Sequence, residues 1–260
     1  MPLIRDFSLQ LYSLRSEAGR GLGALLGETA KAGFTGVEFA GYGGLEAAEL
    51  KELLVGYGLK PVGTHVGIER LNDALDEELA FNKEIGTEYI VVPYYPMETE
   101  ADARAAARGL RSLAPKIRAA GFGFAYHNHY HEFGKADSGG GEFGKADSGG
   151  SGYLLDVMCD IIPANEMDIE LDIYWAAYAG IDYLDWIKRR SGRVKLVHVK
   201  QMRDYESKKC VDLDEGVIDY HEIIKVGLGL NVKHFILEQE EFAGSPFTGI
   251  KKGCDYIYSL

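Results

Sequence analysis

The sequence has few cysteines and no segment that would carry the chain into or across a membrane. The three cysteines, Cys159, Cys210 and Cys254, are widely spaced, odd in number and without a CxxC motif, which argues against a disulfide framework and a thiolate zinc site. No stretch approaches the about 20 apolar residues of a membrane span. The N-terminus, MPLIRDFSLQLYSLR, lacks the features of a signal peptide. We therefore expect a soluble, cytoplasmic protein with reduced cysteines.

Positive charge is also scarce. The chain carries 28 Lys and Arg against 40 Asp and Glu, a formal net charge of -12 at pH 7. This charge repels phosphate backbones and no local basic patch offsets it, so we expect no nucleic-acid partner. A neutral sugar feels the field much less, and a divalent cation is attracted by it. The balance favours a small-molecule sugar as the binding partner.

Helix-length segments alternate with short β-rich segments through the whole sequence. At 260 residues, this alternation predicts one (β/α)₈ TIM barrel domain over 1–260. A doubly wound open sheet shares the alternation and is the alternative. The predicted strands are Asp6–Tyr12, Gly36–Phe39, Pro61–His65, Tyr89–Pro93, Gly123–His127, Asp168–Asp172, Lys195–Lys200 and His234–Glu238. The predicted helices include Leu45–Tyr57, Ile68–Ile85, Glu100–Ala120 and Asp182–Arg190. Glycines suited to the positive φ of a helix C-cap precede four of the strands: Gly33, Gly58, Gly86 and Gly121.

A tandem duplication interrupts this alternation. Residues 132–140 read EFGKADSGG and residues 142–150 repeat the same letters. The segment is rich in Gly and Ser and has few apolar anchors, so it cannot offset the entropy lost on ordering. We predict a mobile loop over 132–150, after the fifth strand. Two interpretations are open: a neutral duplication without function, or a lid over the barrel mouth.

Polar side chains close most of the predicted strands. The carboxyl ends of barrel strands form the active site in such folds, and charges buried there without a function would be destabilising. Imidazole and carboxylate groups that converge from different strands are ligands for a divalent ion. We predict a metal site made of His127, Asp172, His198 and Glu238. His127 and His129 share one face of their strand, which leaves open the choice of ligand between them.

The other polar strand ends are candidates for catalysis and substrate binding. A divalent ion beside a carbonyl favours removal of the adjacent proton. The predicted catalytic residues are Glu238, Glu38 and Lys200, and the predicted substrate-binding residues are His65, His129 and Trp175. For Lys200 the alternative is a structural ion pair with Asp172 or Glu170. For Trp175, stacking on a sugar ring and ordinary packing are both open.

Seven segments stand out in chain order: GFTGVEFAGYGG, GTHVGIERL, YHNHYHEF, LDIYWAAYAG, VHVKQMRDY, DEGVIDYHEII and ILEQEEF. Together they resemble the sugar phosphate isomerase/epimerase family of the xylose isomerase-like barrels. The resemblance covers nearly the whole chain and implies metal ligands Glu, Asp, His and Glu on strands five to eight. His127 stands at the position of the first Glu. An imidazole there removes one candidate acid or base, so the two-glutamate epimerase mechanism cannot be transferred whole.

These observations predict a divalent-metal-dependent sugar isomerase or epimerase that removes a proton next to a carbonyl and forms a metal-stabilised enediolate. Similar histidine-bearing relatives include inosose dehydratases and lyases of oxidised sugars, so a lyase or dehydratase acting on inosose or 3-keto-sugar substrates is the first alternative. A non-catalytic carbohydrate-binding barrel is the second. A DNA repair endonuclease conflicts with the acidic charge. His₂ with two carboxylates accepts Mn²⁺, Zn²⁺, Co²⁺ or Mg²⁺, and analogy with similar barrels suggests a homodimer.

Overall fold

The computed structural model describes residues 2–136 and 152–260. Within them, eight parallel strands close into a barrel, because each strand pairs with the next and the last pairs with the first. The barrel strands are β1 Ser8–Gln10, β2 Gly36–Phe39, β3 Lys60–His65, β4 Tyr89–Val92, β5 Gly123–His127, β6 Asp168–Asp172, β7 Val194–Val199 and β10 His234–Leu237. A small antiparallel pair, β8 Gln201–Met202 and β9 Cys210–Val211, lies between the last two. The predicted closed barrel is confirmed, and the doubly wound alternative is wrong.

Helices fill the connections between the barrel strands. They are α1 Leu22–Ala32, α2 Ala47–Tyr57, α3 Ile68–Ile85, α4 Glu100–Ala119, α5 Leu154–Ile161, α6 Ile173–Tyr178, α7 Tyr183–Arg189, α8 Tyr220–Gly229 and α9 Pro246–Ser259, with 3-10 helices at Leu11–Arg20 and His131–Phe133. Positive φ angles occur at the predicted glycines Gly33, Gly58, Gly86 and Gly121. Among the described residues, no helix combines the length and the apolar character needed to cross a membrane.

The first strand is shorter than predicted. The sequence predicts extended chain over Asp6–Tyr12, whereas β1 ends at Gln10 and a 3-10 helix begins at once. The Gln10 side chain is the physical reason, because its oxygen accepts the Tyr12 backbone N–H at 3.0 Å and caps this helix.

The barrel interior is divided into an apolar layer and a polar layer. Five side chains form a small buried cluster separate from the main core, which lies between strands and helices: Val62, Val91, Ala125, Leu196 and Ile236. Two residues beyond Ala125, Leu196 and Ile236, toward the carboxyl ends of their strands, stand His127, His198 and Glu238. The apolar cluster closes the barrel below them, as side-chain layers do in this architecture.

A bulge in β3 decides which of its side chains reach the polar layer. Val62 is an extra residue between the two positions of β3 that pair with successive residues of β2. Such an insertion shifts the inward and outward alternation by one position. Val62 belongs to the interior cluster, and the shift turns His65 inward as well, where it contacts Glu170.

The start of the duplicated segment carries a packed aromatic side chain, whereas the sequence analysis expected few apolar anchors there. Phe133 is 0% exposed and lies edge-on against Tyr153 and Trp186, with ring centroids at 5.8 and 6.0 Å. The sequence analysis overlooked Phe133 as an apolar anchor. Residues 137–151 lie outside the described residues, so the prediction of a loop or lid there stays a prediction.

Candidate metal centre and side cleft

Four side chains from four neighbouring strands meet at the carboxyl end of the barrel. His127, Asp172, His198 and Glu238 each offer one ligand atom, and these four atoms lie within 4.8 Å of one another. All four residues are buried. The closed barrel makes this meeting possible, since the strands that carry them are adjacent in the sheet. The group coincides with the ligand set predicted from the sequence and is called the upper group below.

The two carboxylate oxygens of Asp172 have different environments. Oδ1 accepts the Trp175 backbone N–H at 2.8 Å and caps α6, whereas Oδ2 is buried without a hydrogen-bond partner. Asn128 fixes the backbone, because its side-chain oxygen accepts the Asp172 N–H at 3.0 Å. Burial raises the pKa of Asp172 to about 7, although the charge of Lys200 opposes this. A cation would satisfy Oδ2 and favour the ionised form.

Two carboxylates contact His198 through its two ring nitrogens. Nδ1 lies 3.2 Å from Oε2 of Glu238, and Nε2 lies 2.7 Å from Oε2 of Glu38. Glu38 is itself 0% exposed and accepts a 2.9 Å hydrogen bond from Gln10. A side chain on Gly63 would collide with it, since a Cβ there would lie 2.5 Å from Oε1 of Glu38. Glu38 is thus positioned beneath His198, in the arrangement that orients metal-binding imidazoles.

A second group shares His127 and His198 with the first and includes Glu170, two residues before Asp172 on β6. His65, His127, Glu170 and His198 also bring ligand atoms within 4.8 Å of one another. This is the lower group. Nε2 of His65 lies 2.8 Å from Oε2 of Glu170 and 3.3 Å from Oε2 of Glu38. Burial lowers the pKa of His65, but these two carboxylates outweigh it and raise the pKa to about 10.

The charge on His65 favours the upper group as the cation site. An imidazolium between Glu38 and Glu170 already neutralises part of their charge and repels a metal ion. Oε1 of each of these two carboxylates has no hydrogen-bond partner, but both Oε2 atoms contact imidazole nitrogens. Glu38, predicted as a catalytic residue, is fully buried against His198, whereas His65, predicted to bind substrate, keeps 10% of its side chain exposed.

Lys200 is buried beside the upper group and pairs with a residue that the sequence analysis did not select. Its Nζ lies 2.5 Å from Oε1 of Glu240 and 4.5 and 4.7 Å from the ring centroids of Trp175 and Tyr174. The suggested ion pair with Asp172 or Glu170 is replaced by this contact. Glu240 belongs to the segment ILEQEEF, where three acidic residues gave no signal to separate it from its neighbours.

Aromatic rings line the mouth outside the upper group. The His129 ring centroid lies 5.0 Å from that of His127 and 5.7 Å from that of Trp175. Nδ1 of His129 and Nε1 of Trp175 are buried without hydrogen-bond partners. Beyond His129 a cavity of about 550 Å³, called the side cleft here, has a lining that includes Tyr94, Glu98, Asp102, His129, Tyr130 and His131.

Glu132 holds the loop that carries His129. Its carboxylate is buried and accepts hydrogen bonds from the Tyr126 hydroxyl at 2.7 Å and the His129 backbone N–H at 2.8 Å. Burial raises the pKa of Glu132. Sequence reasoning missed this residue because it assigned position 132 to the duplicated loop. Its location three residues after His129 was the available signal.

Comparison with known proteins places these features in a family. The model of the xylose isomerase-like TIM barrel family matches residues 26–260. No curated protein matches the chain. A sugar phosphate isomerase/epimerase from Parabacteroides distasonis superposes with a TM-score of 0.81 at 23% identity, over 97% of this chain and 93% of that one.

Two further solved structures share the fold at lower identity. A probable 3-DHS dehydratase from Bacillus anthracis has a TM-score of 0.73 at 14% identity, over 97% of this chain and 98% of that one. The 3-keto-D-glucoside 4-epimerase from E. coli has a TM-score of 0.65 at 15% identity, over 92% and 94%. At these identities the structural matches show the fold alone. The family model, in contrast, matches most of the sequence. The chain therefore belongs to the xylose isomerase-like TIM barrel family.

Proposed function

We propose that this protein is a divalent-metal-dependent enzyme that isomerises or epimerises a keto sugar by removing a proton next to the carbonyl group. The supporting observation is the meeting of His127, Asp172, His198 and Glu238 within 4.8 Å. Two imidazoles and two carboxylates suit Mn²⁺, Zn²⁺, Co²⁺ or Mg²⁺. The net charge of -12 favours the approach of such an ion.

The donor atoms of the upper group fit a cation. Oδ2 of Asp172 is a buried carboxyl oxygen without a hydrogen-bond partner, which is destabilising unless a cation or a donor lies beside it. With Nε2 of His198 directed at Glu38, Nδ1 is the nitrogen on the Glu238 side and is the one available to a metal. A bound divalent ion supplies polarisation of a substrate carbonyl, which acidifies the neighbouring C–H.

The residues around the upper group provide the remaining parts of the reaction. Glu238 is the proposed base, because its carboxylate belongs to the upper group and so lies beside the proposed position of the substrate carbonyl. Lys200 is proposed to offset negative charge that develops on the substrate oxygen. His129 and Trp175 are proposed to bind substrate hydroxyls through their unpartnered ring nitrogens.

Glu38 and His65 have a different proposed role from the one predicted. Glu38 is fully buried against His198 and contacts His65 at 3.3 Å, and Nε2 of His65 also contacts Glu170 at 2.8 Å. We assign to them the positioning of His198 and the balance of charge beside it.

A lyase or dehydratase is the second candidate. It begins with the same proton removal and differs in a leaving group on the next carbon, so the geometry of the upper group serves both reactions. The fold relation to a probable 3-DHS dehydratase, with a TM-score of 0.73, supports this candidate. A carbohydrate-binding barrel without turnover is the candidate outside the enzyme class.

Solvent-deuterium exchange distinguishes the three candidates. The protein, loaded with Mn²⁺ or Zn²⁺, is incubated in D₂O with keto sugars, inososes and 3-keto-glycosides, and each product is analysed by NMR. We expect metal-dependent deuterium incorporation next to the carbonyl, and none with Glu238→Gln. An epimeric product supports the isomerase or epimerase, and an unsaturated product supports the lyase. Sugar binding without exchange on any compound would contradict an enzymatic function.

A further inference from the structure

On the basis of the proposed function, we propose that the side cleft is a subsite for a second, uncharged sugar ring. The substrate would then be a keto sugar joined by a glycosidic bond to another sugar, and neither a free monosaccharide nor a sugar phosphate. The position, the aromatic surface and the charge of the cleft support this proposal.

The side cleft adjoins the proposed metal centre, and His129 stands between the two. His129 lines the cleft, and its ring centroid lies 5.0 Å from that of the proposed ligand His127. A sugar whose carbonyl lies at the upper group therefore has its far side next to His129. A substituent on that side enters the cleft, whose volume of about 550 Å³ is in the range of about 300–1,000 Å³ common for small-ligand sites.

Two aromatic side chains leave much of their surface accessible in the cleft. Tyr94 is 51% exposed and Tyr130 is 40% exposed, although both belong to the wall beside a buried polar centre. Tyrosine combines an apolar ring face with a hydroxyl, which matches the C–H face and the hydroxyls of a pyranose. The Tyr94 ring stands 5.8 Å from that of His129, at an interplanar angle of 79°. The two rings thus form a corner that a flat sugar ring can occupy.

The charge of the cleft favours a neutral ligand. Its described lining contains Glu98 and Asp102 and neither Lys nor Arg. Asp102 is engaged in capping α4, where it accepts the Thr99 backbone N–H at 2.9 Å. Carboxylates accept hydrogen bonds from sugar hydroxyls but repel a phosphate group, which proteins usually bind with Arg, Lys or helix N-termini.

The experiment compares three forms of the same keto hexose: the free sugar, its glycoside with a second glucose ring, and its phosphate ester. Exchange of deuterium from solvent gives kcat/KM for each. We expect the highest value for the two-ring compound and the lowest for the phosphate ester. Tyr94→Ala and Tyr130→Ala should each lower kcat/KM for the two-ring compound about fivefold to tenfold, since aromatic contacts of this kind are worth about 1 kcal/mol. In both variants the loss should be larger for the two-ring compound than for the free sugar.

Tyr57→Ala is the matched control, because Tyr57 is a tyrosine of similar exposure, 41%, at the end of α2 that precedes β3. This variant should keep the wild-type preference. Calorimetric binding of the unoxidised disaccharide, with and without Tyr94→Ala, tests the cleft without any turnover. The proposal would be overturned if Tyr94→Ala and Tyr130→Ala lowered kcat/KM equally for all three compounds. It would also be overturned if the wild-type protein preferred the phosphate ester. Disaccharide binding that depends on Tyr94 without exchange would support the subsite and overturn the proposed enzymatic function instead.

Discussion

Asp172 shows how one residue can serve the helix and the metal centre separately. Its Oδ1 caps α6 and its Oδ2 has no hydrogen-bond partner. Because Asn is also a good N-cap, Asp172→Asn should keep the cap and the fold but weaken cation binding, and Glu238→Gln should act in the same way. The metal-to-protein ratio after dialysis, with the thermal unfolding temperature, measures both effects.

Asp168→Asn is the matched control for these substitutions. Asp168 lies at the opposite end of the same strand and pairs with Arg118 at 2.8 Å, away from the upper group. The Asp168→Asn variant should retain stoichiometric metal. Stoichiometric metal in both Asp172→Asn and Glu238→Gln would refute the ligand assignment.

Glu38 gives a second prediction at the residue scale. Its carboxylate accepts the hydrogen bond from Nε2 of His198 at 2.7 Å, so Glu38→Gln should lower metal affinity about tenfold to a hundredfold, as the loss of such partners usually does. Competition with a chelator measures the affinity. Glu78→Gln alters another buried glutamate, bonded to Tyr42 and Arg70 outside the barrel, and should leave the affinity unchanged. Equal affinities in both variants would contradict the positioning role.

His65 predicts a pH dependence of the metal-free protein. Its folded-state pKa is raised to about 10 from 6.5 by Glu38 and Glu170, against the effect of burial. Protonated His65 therefore stabilises the folded state, and this contribution is complete below pH 6.5. It is lost as the pH rises through 10. The free energy of unfolding should therefore fall between pH 6.5 and 10, and fall less in His65→Gln. Urea unfolding in chelator measures it, and identical pH profiles would disprove the ion pairs.

At the scale of elements, the loop after β5 depends on Phe133. This side chain is 0% exposed and packs on Trp186 and Tyr153, so Phe133→Ala should reduce the free energy of unfolding by about 3–5 kcal/mol. Tyr205→Ala, at a tyrosine that is 55% exposed, should change it by less than about 0.5 kcal/mol. Denaturant unfolding measures both. A small effect of Phe133→Ala would show that the segment is not packed as described.

The elements were predictable to different degrees. α3 coincides with the predicted helix Ile68–Ile85. The start of a long amphipathic repeat indicates its first residue, and Gly86 indicates its C-terminal end. The inward direction of His65 depends on the bulge at Val62, which no residue pattern indicates. The pairing of Lys200 with Glu240 was equally hidden, since it depends on how two loops approach each other in space.

At the scale of the whole molecule, barrel closure explains why the sequence could predict so much of the candidate site. Polar residues that end separate strands lie at one mouth once the strands close in order. That rule collects Asp172, His198 and Glu238 without any knowledge of distances. It cannot separate the upper group from Glu38 and the lower group, because Glu38 and Glu170 also end or approach the ends of their strands. It also says nothing about substrate, which side chains at the mouth determine.

Anomalous scattering from crystals grown with Zn²⁺ tests the central claim most directly. The account predicts one strong peak at about 2.0–2.2 Å from the ligand atoms of the upper group, namely His127, Asp172, His198 and Glu238. A peak coordinated by His65 and Glu170 in the lower group, with Asp172 and Glu238 unbound, would contradict it. The absence of any peak inside the barrel, in crystals that bind Zn²⁺ elsewhere, would contradict the metal-dependent function altogether.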